Sequence, residues 1–561
     1  MRKISFIISL FYAGLTWAQA PTMPNYHAND RFEQLGTALP TPNTYRTASG
    51  APGKDYWQQR ADYDIKVELD EANNKIIGTE TITYFNQSPD ALPYVWIQLD
   101  QNLFAKNSPG PITRTGDLGN QTTMTSLSTI TDMNYSNADY GYNIQAVKDA
   151  KTGKPLRYTI NQTMMRIDLP QPILPKQTYS FSIDWNYRIV EVAKGGRRTG
   201  FEVFKDSNNV YEIAQFYPRL CVYDDVTGWQ HKQYYSQGEF ALNFGNFKLA
   251  ITVPDDHVLG ATGELQNAAQ VLTPTQLKNF EKAKTSEKVV VISSQEEREK
   301  AEKGKPTGKK TWIFKADNVR DVAFATSRKY IWDGKMQEVA GKKVLCMSFY
   351  PKEANPLWGQ YSTMLVAHTV KTYSKYTFDY PYPVAQSIHG PVGGMEYPMI
   401  SFNGARPEAD GTYSQGTKNF LIQVVIHEVG HNWFPMIVNS DERQWSWMDE
   451  GLNSFMEYLS TKEWDRTMGG DVAEPQNIVD YMRTEPSKQV PIMSSSDNIM
   501  GFGPNAYTKP ATGLNILRET IMGRELFDYA FKEYANRWKF KHPTPADLFR
   551  TMEDASGEDL D

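Results

Sequence analysis

His427-Glu428-Val429-Gly430-His431, followed after eighteen residues by Glu450 in the run Trp447-Met448-Asp449-Glu450-Gly451, decides how this chain is read. Histidines four apart on a helix project from one face, so both imidazoles can reach a single ion. The residues upstream supply the helical stripe. Phe420, Val424, His427 and His431 recur at intervals of four, three and four, and Pro435 marks the end. A short loop after Pro435 returns the chain as a second helix, which brings Glu450 beside the histidines. Two histidines and one carboxylate make a catalytic zinc environment, because the fourth position stays open for water.

Each residue type in the pattern has a chemical reason. Zinc lowers the pKa of a bound water to about 7, so that a nucleophile exists at neutral pH. Glu428 need not bind the metal, and beside His427 it suits a general base that takes the water proton and returns it to the leaving amine. Glu457 lies seven residues beyond Glu450 on the same helical face and reads more readily as a surface glutamate than as a residue orienting a ligand from behind. The bland alternative makes Glu428 a solvated helix charge and the histidines satisfied polar groups near a core. The five-residue pattern together with Glu450 favours the metal, one zinc ion in all.

The 561 residues exceed one ordinary domain. A net charge of -6 offers no basic footprint, which excludes nucleic acid as a partner class. Arg2 and Lys3 precede an apolar stretch from Ile4 to Trp17 and then Ala18-Gln19-Ala20, the layout of a secretory signal peptide over 1–20, with cleavage after Ala18 or Ala20. No other stretch is long and apolar enough to span a bilayer, so the mature chain is expected to lack an integral membrane segment and to be exported, periplasmic or extracellular. Cys221 and Cys346, the two cysteines, lie 125 residues apart without zinc-ligand spacing and are expected as unpaired thiols.

Residues 21–55, rich in Pro, Thr, Asn and Gly, read as an extended lead-in. A period of two then begins. Tyr63, Ile65, Val67 and Leu69 alternate with polar residues, Asn73-Asn74 offers a turn, Ile77 to Phe85 resumes the strand character, and Tyr179 to Tyr187 repeats it. Residues 56–325 are therefore expected as an antiparallel β domain, with the charge-dense segment 274–310 an exposed excursion. From about Ala325 the pattern turns helical over Leu357 to Lys375, Lys418 to Phe434, Trp447 to Trp464 and Thr512 to Trp538. The fold class is α+β and multidomain, with the chemistry on the helical half, 326–561.

The zinc motif, preceded by Gly393-Gly394-Met395-Glu396-Tyr397-Pro398, resembles the aminopeptidase N and leukotriene A hydrolase family of gluzincin zinc metallopeptidases in order and spacing. That resemblance implies a thermolysin-like catalytic domain and peptide substrates. It also implies that Glu396, with Gly393, Gly394 and Met395 on a strand across the cleft, holds the substrate's free α-amino group, and that Tyr507 in Tyr507-Thr508-Lys509-Pro510 stabilises the oxyanion. A carboxylate fixed one residue's length from the metal counts off a single N-terminal residue.

Three departures stand out. Tyr397 replaces the family's usual Asn. In Ala214-Gln215-Phe216-Tyr217-Pro218 the second amine anchor is replaced by Tyr217, leaving Gln215 as the substitute. Family members continue past the position of Asp561, so the resemblance implies a chain shortened at its C-terminus. The expectation is an exported zinc aminopeptidase. Its rivals are an endopeptidase or non-peptide hydrolase of the same zinc class, and a binding protein with structural zinc.

Overall fold

Alternation at Tyr63, Ile65, Val67 and Leu69 buries one face of strand β1 (Arg60–Asp70). Each such side chain contributes about 1.5–3 kcal/mol when fully withdrawn from water. Asn74, in the left-handed region at φ 45°, turns the chain into β2 (Lys75–Phe85), which pairs with β1 along its whole length. In the computed structural model, which describes residues 39–110, 124, 139–196, 198–469, 472–486 and 489–560, these strands centre a seven-stranded sheet. β3 (Thr178–Arg188) pairs with β2, while β5 (Gly245–Pro254) lies on the other side of β1 and pairs in turn with β6 (Lys309–Val319). A separate strand, β4 (Asn209–Ile213), belongs to a four-stranded sheet and carries Glu212.

The chain is β-rich in its N-terminal part and helical in its C-terminal part. Residues 42–558 form one unit; residues 39–41 and 559–560 fall in a second, where they hold no helix or strand. The signal-peptide reading of 1–20 lies outside the described residues. No helix among the described residues is long and apolar enough to cross a membrane. Cys221 and Cys346 are buried and free.

Several expectations meet a different arrangement. The large sheet is not wholly antiparallel, because β1 and β5 run parallel. The described part of the lead-in is pinned: Arg46 is buried between Asp225 (2.8 Å) and Asp547 (2.5 Å), its guanidinium 5.1 Å from the Trp538 ring centroid. Residues 274–310 hold two helices, α1 (Pro274–Ala283) and α2 (Gln295–Ala301), each opened by a capping box, and a strand at Val290–Ser293. Charge hid this, since Phe280 is among the few apolar groups that α1 buries, packing 5.3 Å from Trp332.

The catalytic half also opens on strands. β7 (Ile331–Val339), β8 (Lys342–Tyr350), β9 (Val384–His389), β10 (Gly394–Tyr397) and β11 (Ile400–Asn403) join Val290–Ser293 in a six-stranded sheet ordered Val290–Ser293, β7, β8, β9, β11, β10. Most of their residues are buried on both faces, which erases the period of two that would have announced them. β10 ends that order and, among the described residues, pairs only with β11.

Three helices pack together around the motif: α3 (Leu357–Tyr376), α4 (Gln415–Gly430) and α5 (Leu452–Trp464). Ser414 caps α4 by accepting from the Thr417 amide at 3.0 Å. Gly430 is required by packing, since a Cβ there would lie 2.2 Å from the Tyr373 hydroxyl of α3. Tyr373 donates to Asn453 of α5, whose side chain donates to the His427 carbonyl at 2.9 Å, so all three helices lock at one point. The helix expected over 512–538 is broken. α6 (Lys509–Ile516) and α7 (Arg524–Trp538) flank Gly523, whose φ of 80° suits glycine.

Buried ion pairs join the β half to the segment leading to Glu450. Asp100 accepts from Arg219 at 2.6 Å and from Arg443 at 2.7 Å, and Arg219 also reaches Asp321 at 2.5 Å. All four are at most 7% exposed. Removing one member of such a set strands charge away from water. Asp100→Ala should therefore lower unfolding free energy by about 3–5 kcal/mol, read as a lower urea midpoint; an unchanged midpoint would show that the arginines find other partners.

Candidate active site

α4 places His427 in its last turn and His431 at its C-cap, and a π-helical turn at Trp447–Gly451 presents Glu450. His427 Nε2 and His431 Nε2 lie 3.0 Å apart, and an oxygen of Glu450 sits 3.2 Å from the first and 3.3 Å from the second. Four-coordinate zinc with bonds near 2.0–2.1 Å spaces its ligand atoms by about 3.3 Å, so these three atoms have the spacing of a zinc ligand set.

The tautomers agree. His431 Nδ1 donates to the Phe434 carbonyl at 2.8 Å, which requires its proton there and leaves Nε2 a lone pair. Asp449 Oδ1 comes within 3.1 Å of the same Nδ1, but the hydrogen bond goes to Phe434. His427 Nδ1 faces Glu457 Oε2 at 2.9 Å, so Glu457 is a buried orienting contact and not the surface glutamate that the sequence favoured. Three electron-pair donors thus converge, which a cation resolves. Burial works to lower His427, yet Glu450 and Glu457 outweigh it and hold the imidazole at about 10. A bound metal competes with that proton.

Around the triad stand the other expected residues. Glu428 is buried, with Oε2 unpartnered among the described residues, and burial pushes its carboxyl up to about 7. Gly394 lies against it: a Cβ there would meet Glu428 Oε1 at 2.4 Å. Tyr507, on a π-helical turn at Gly503–Thr508, donates to Glu450 Oε1 at 2.5 Å, its ring stacked 5.8 Å from that of His427. Burial raises its hydroxyl well above the usual tyrosine value, so it stays a donor. Glu396 on β10 places a carboxylate oxygen within 4.8 Å of a His431 ring nitrogen, and burial, then Glu239, raise it well above the carboxylate range. Gly393 and Gly394 are exposed while Met395 is buried, leaving glycine backbone open at the end of the sheet.

Gln215 donates its amide nitrogen to the hydroxyl of Tyr397, the residue after Glu396, at 2.6 Å. Tyr217 turns the other way and donates to Asp321 at 2.7 Å. Sequence reasoning missed Asp449 and Glu239, which lie among these groups. Asp449 adjoins Glu450 and was open to notice; Glu239, in Gly238-Glu239-Phe240 of the β half, had no local signal.

Comparison with known proteins supports the same chemistry. Residues 362–561 match the Peptidase family M1 domain. Aminopeptidase 2 of Candida albicans is 25% identical over 215 residues, 36% of this chain and 23% of that protein. Glutamyl aminopeptidase of Bos taurus is 30% identical over 151 residues, 26% of this chain and 16% of that protein. The matched segments thus span about a quarter or less of these relatives' length. In fold, the M1 zinc metallopeptidase of Deinococcus radiodurans aligns with a TM-score of 0.55 at 14% identity, covering 90% of this chain and 93% of that one.

Two variants test the assembly. Glu457→Gln should weaken zinc affinity about ten- to a hundredfold in competition with a chelator, and unchanged affinity would reduce Glu457 to a packing contact. Gly394→Ala should displace the Glu428 carboxylate and lower turnover while zinc content holds; full activity would show that the strand yields.

Proposed function

We propose, from the match of residues 362–561 to the Peptidase family M1 domain, that this chain is a zinc-dependent aminopeptidase removing N-terminal residues from peptides. The observation that carries the reading is the convergence of His427, His431 and Glu450, with Glu428 and Glu396 both close to that cluster.

Those three residues would hold one zinc ion, which would supply Lewis-acid chemistry to water and to the scissile carbonyl. Glu428 takes the proton from the attacking water onto its carboxylate and passes it to the departing amine nitrogen, and its buried setting suits both directions of transfer. The Tyr507 hydroxyl, beside the ligand set, donates to the oxygen on which negative charge develops, a contribution of about 2.7–4 kcal/mol for such donors. Glu396 accepts from the substrate's α-ammonium. The open backbone at Gly393 and Gly394 pairs with the extended peptide as an added strand.

Buried Glu396, with an oxygen within 4.8 Å of a His431 ring nitrogen, supports release of single residues over internal cleavage. The leader-like segment 1–20 supports export to the periplasm or beyond.

A series of peptides with free and N-acetylated termini, given to zinc-loaded protein and to Glu428→Gln, tests the reading. Expected are cleavage confined to free termini and a loss in the variant of at least about a hundredfold with zinc retained. Equal cleavage of both series would point to an endopeptidase, and an undiminished variant would remove Glu428 from the chemistry.

A further inference from the structure

Four carboxylates from distant parts of the chain meet beside the zinc cluster. One oxygen from each of Glu239, Glu396, Glu442 and Asp449 lies within 4.8 Å of the other three, and all four residues are at most 5% exposed. Carboxylates are costly to bury together unless cations or donors face them. Three of the four have such partners, Asp449 through the His431 ring nitrogen 3.1 Å away. Glu442 is paired with Arg320 and accepts from the Phe240 amide at 2.8 Å. Glu239 gives Oε1 to Arg198. Acceptors are nonetheless left over: Glu239 Oε2 and Glu396 Oε1 are buried without a hydrogen-bond partner among the described residues.

We propose that Glu239 is a second anchor for the substrate's N-terminal ammonium, acting with Glu396. This rests on the aminopeptidase reading and adds to it a residue from the β half. The ligand called for is a donor-rich cation. An ammonium carries three N–H donors and no acceptor, so it can satisfy Glu396 and Glu239 together and have one donor left. Tyr217, which stands in the place of the family's second anchor, is turned to Asp321, and Gln215, its expected substitute, gives its Nε2 to Tyr397.

Arg198 accounts for the placement of Glu239. Its guanidinium pairs with Glu239, donates to the Ser236 carbonyl at 3.0 Å and touches Met395 Sδ at 3.1 Å, the residue before Glu396. One side chain therefore spans both anchors and fixes their separation. The same guanidinium, with Arg320 on Glu442, disfavours a second divalent ion among the four carboxylates, because two positive charges already adjoin it.

The test compares alanyl, leucyl and arginyl p-nitroanilides with the corresponding acyl anilides lacking the α-amine, using zinc-loaded wild type, Glu239→Gln, Glu239→Asp and Glu396→Gln. Wild type should favour the amines. Glu239→Gln should lower kcat/KM on them about ten- to a hundredfold, mainly through KM, and leave the des-amino series unchanged, with Glu239→Asp restoring part of the loss. Thermal melting and a zinc content of one per chain should match wild type.

Equal losses on both series would make Glu239 a structural residue and overturn the proposal. So would a second metal ion per chain that disappears in Glu239→Gln. A wild-type preference for amines that is lost in Glu396→Gln but kept in Glu239→Gln would sink the role of Glu239 alone. A wild type indifferent to the amine would sink the aminopeptidase reading with it.

Discussion

Three lone pairs face one another across 3.0–3.3 Å, from Nε2 of His427, Nε2 of His431 and a carboxylate oxygen of Glu450. That convergence is unfavourable without a cation and strongly favourable with one, and much of the surrounding structure serves to hold it. α4 sets the spacing of the histidines. The Phe434 carbonyl and Glu457 turn their rings so that the lone pairs point inward. Tyr373 and Asn453 fix α4 against α3 and α5 through a contact that only glycine at 430 allows.

The β half is also part of the site. Its buried Arg219–Asp100–Arg443 chain reaches the segment that leads from the second histidine to Glu450. Its Glu239 comes within reach of Glu396 on the strand at the end of the catalytic sheet. Charges buried this deeply tolerate little misplacement, because each lost partner exposes an uncompensated group to a low-dielectric surrounding. The same rigidity suits a centre whose donors must already point correctly before substrate arrives.

What was legible in the sequence followed from local periodicity. β1 and β2 showed their alternation because each presents one face to the core, whereas α4 is buried on nearly every side beyond the exposed Phe420 and was legible through the spacing of its histidines. Strands β7 to β11 were not legible, since burial on both faces leaves no alternation to read. The charged segment 274–310 read as a loop because α1 and α2 are held by capping boxes and a few apolar contacts within a mostly charged surface.

By itself the sequence determined which residues make the candidate metal-ligand set. His427, Glu428, His431 and Glu450 are close along the chain, and helix geometry alone dictates that the two histidines share a face. Only the tertiary structure decided which groups stand around that set. Whether Gln215 faces the cluster or Tyr397, whether Tyr217 turns toward Asp321, and whether Glu239 meets Glu396 depend on how two sheets and three helices pack. Contacts between residues 157 or 182 positions apart leave no local pattern, because packing and not periodicity brings them together.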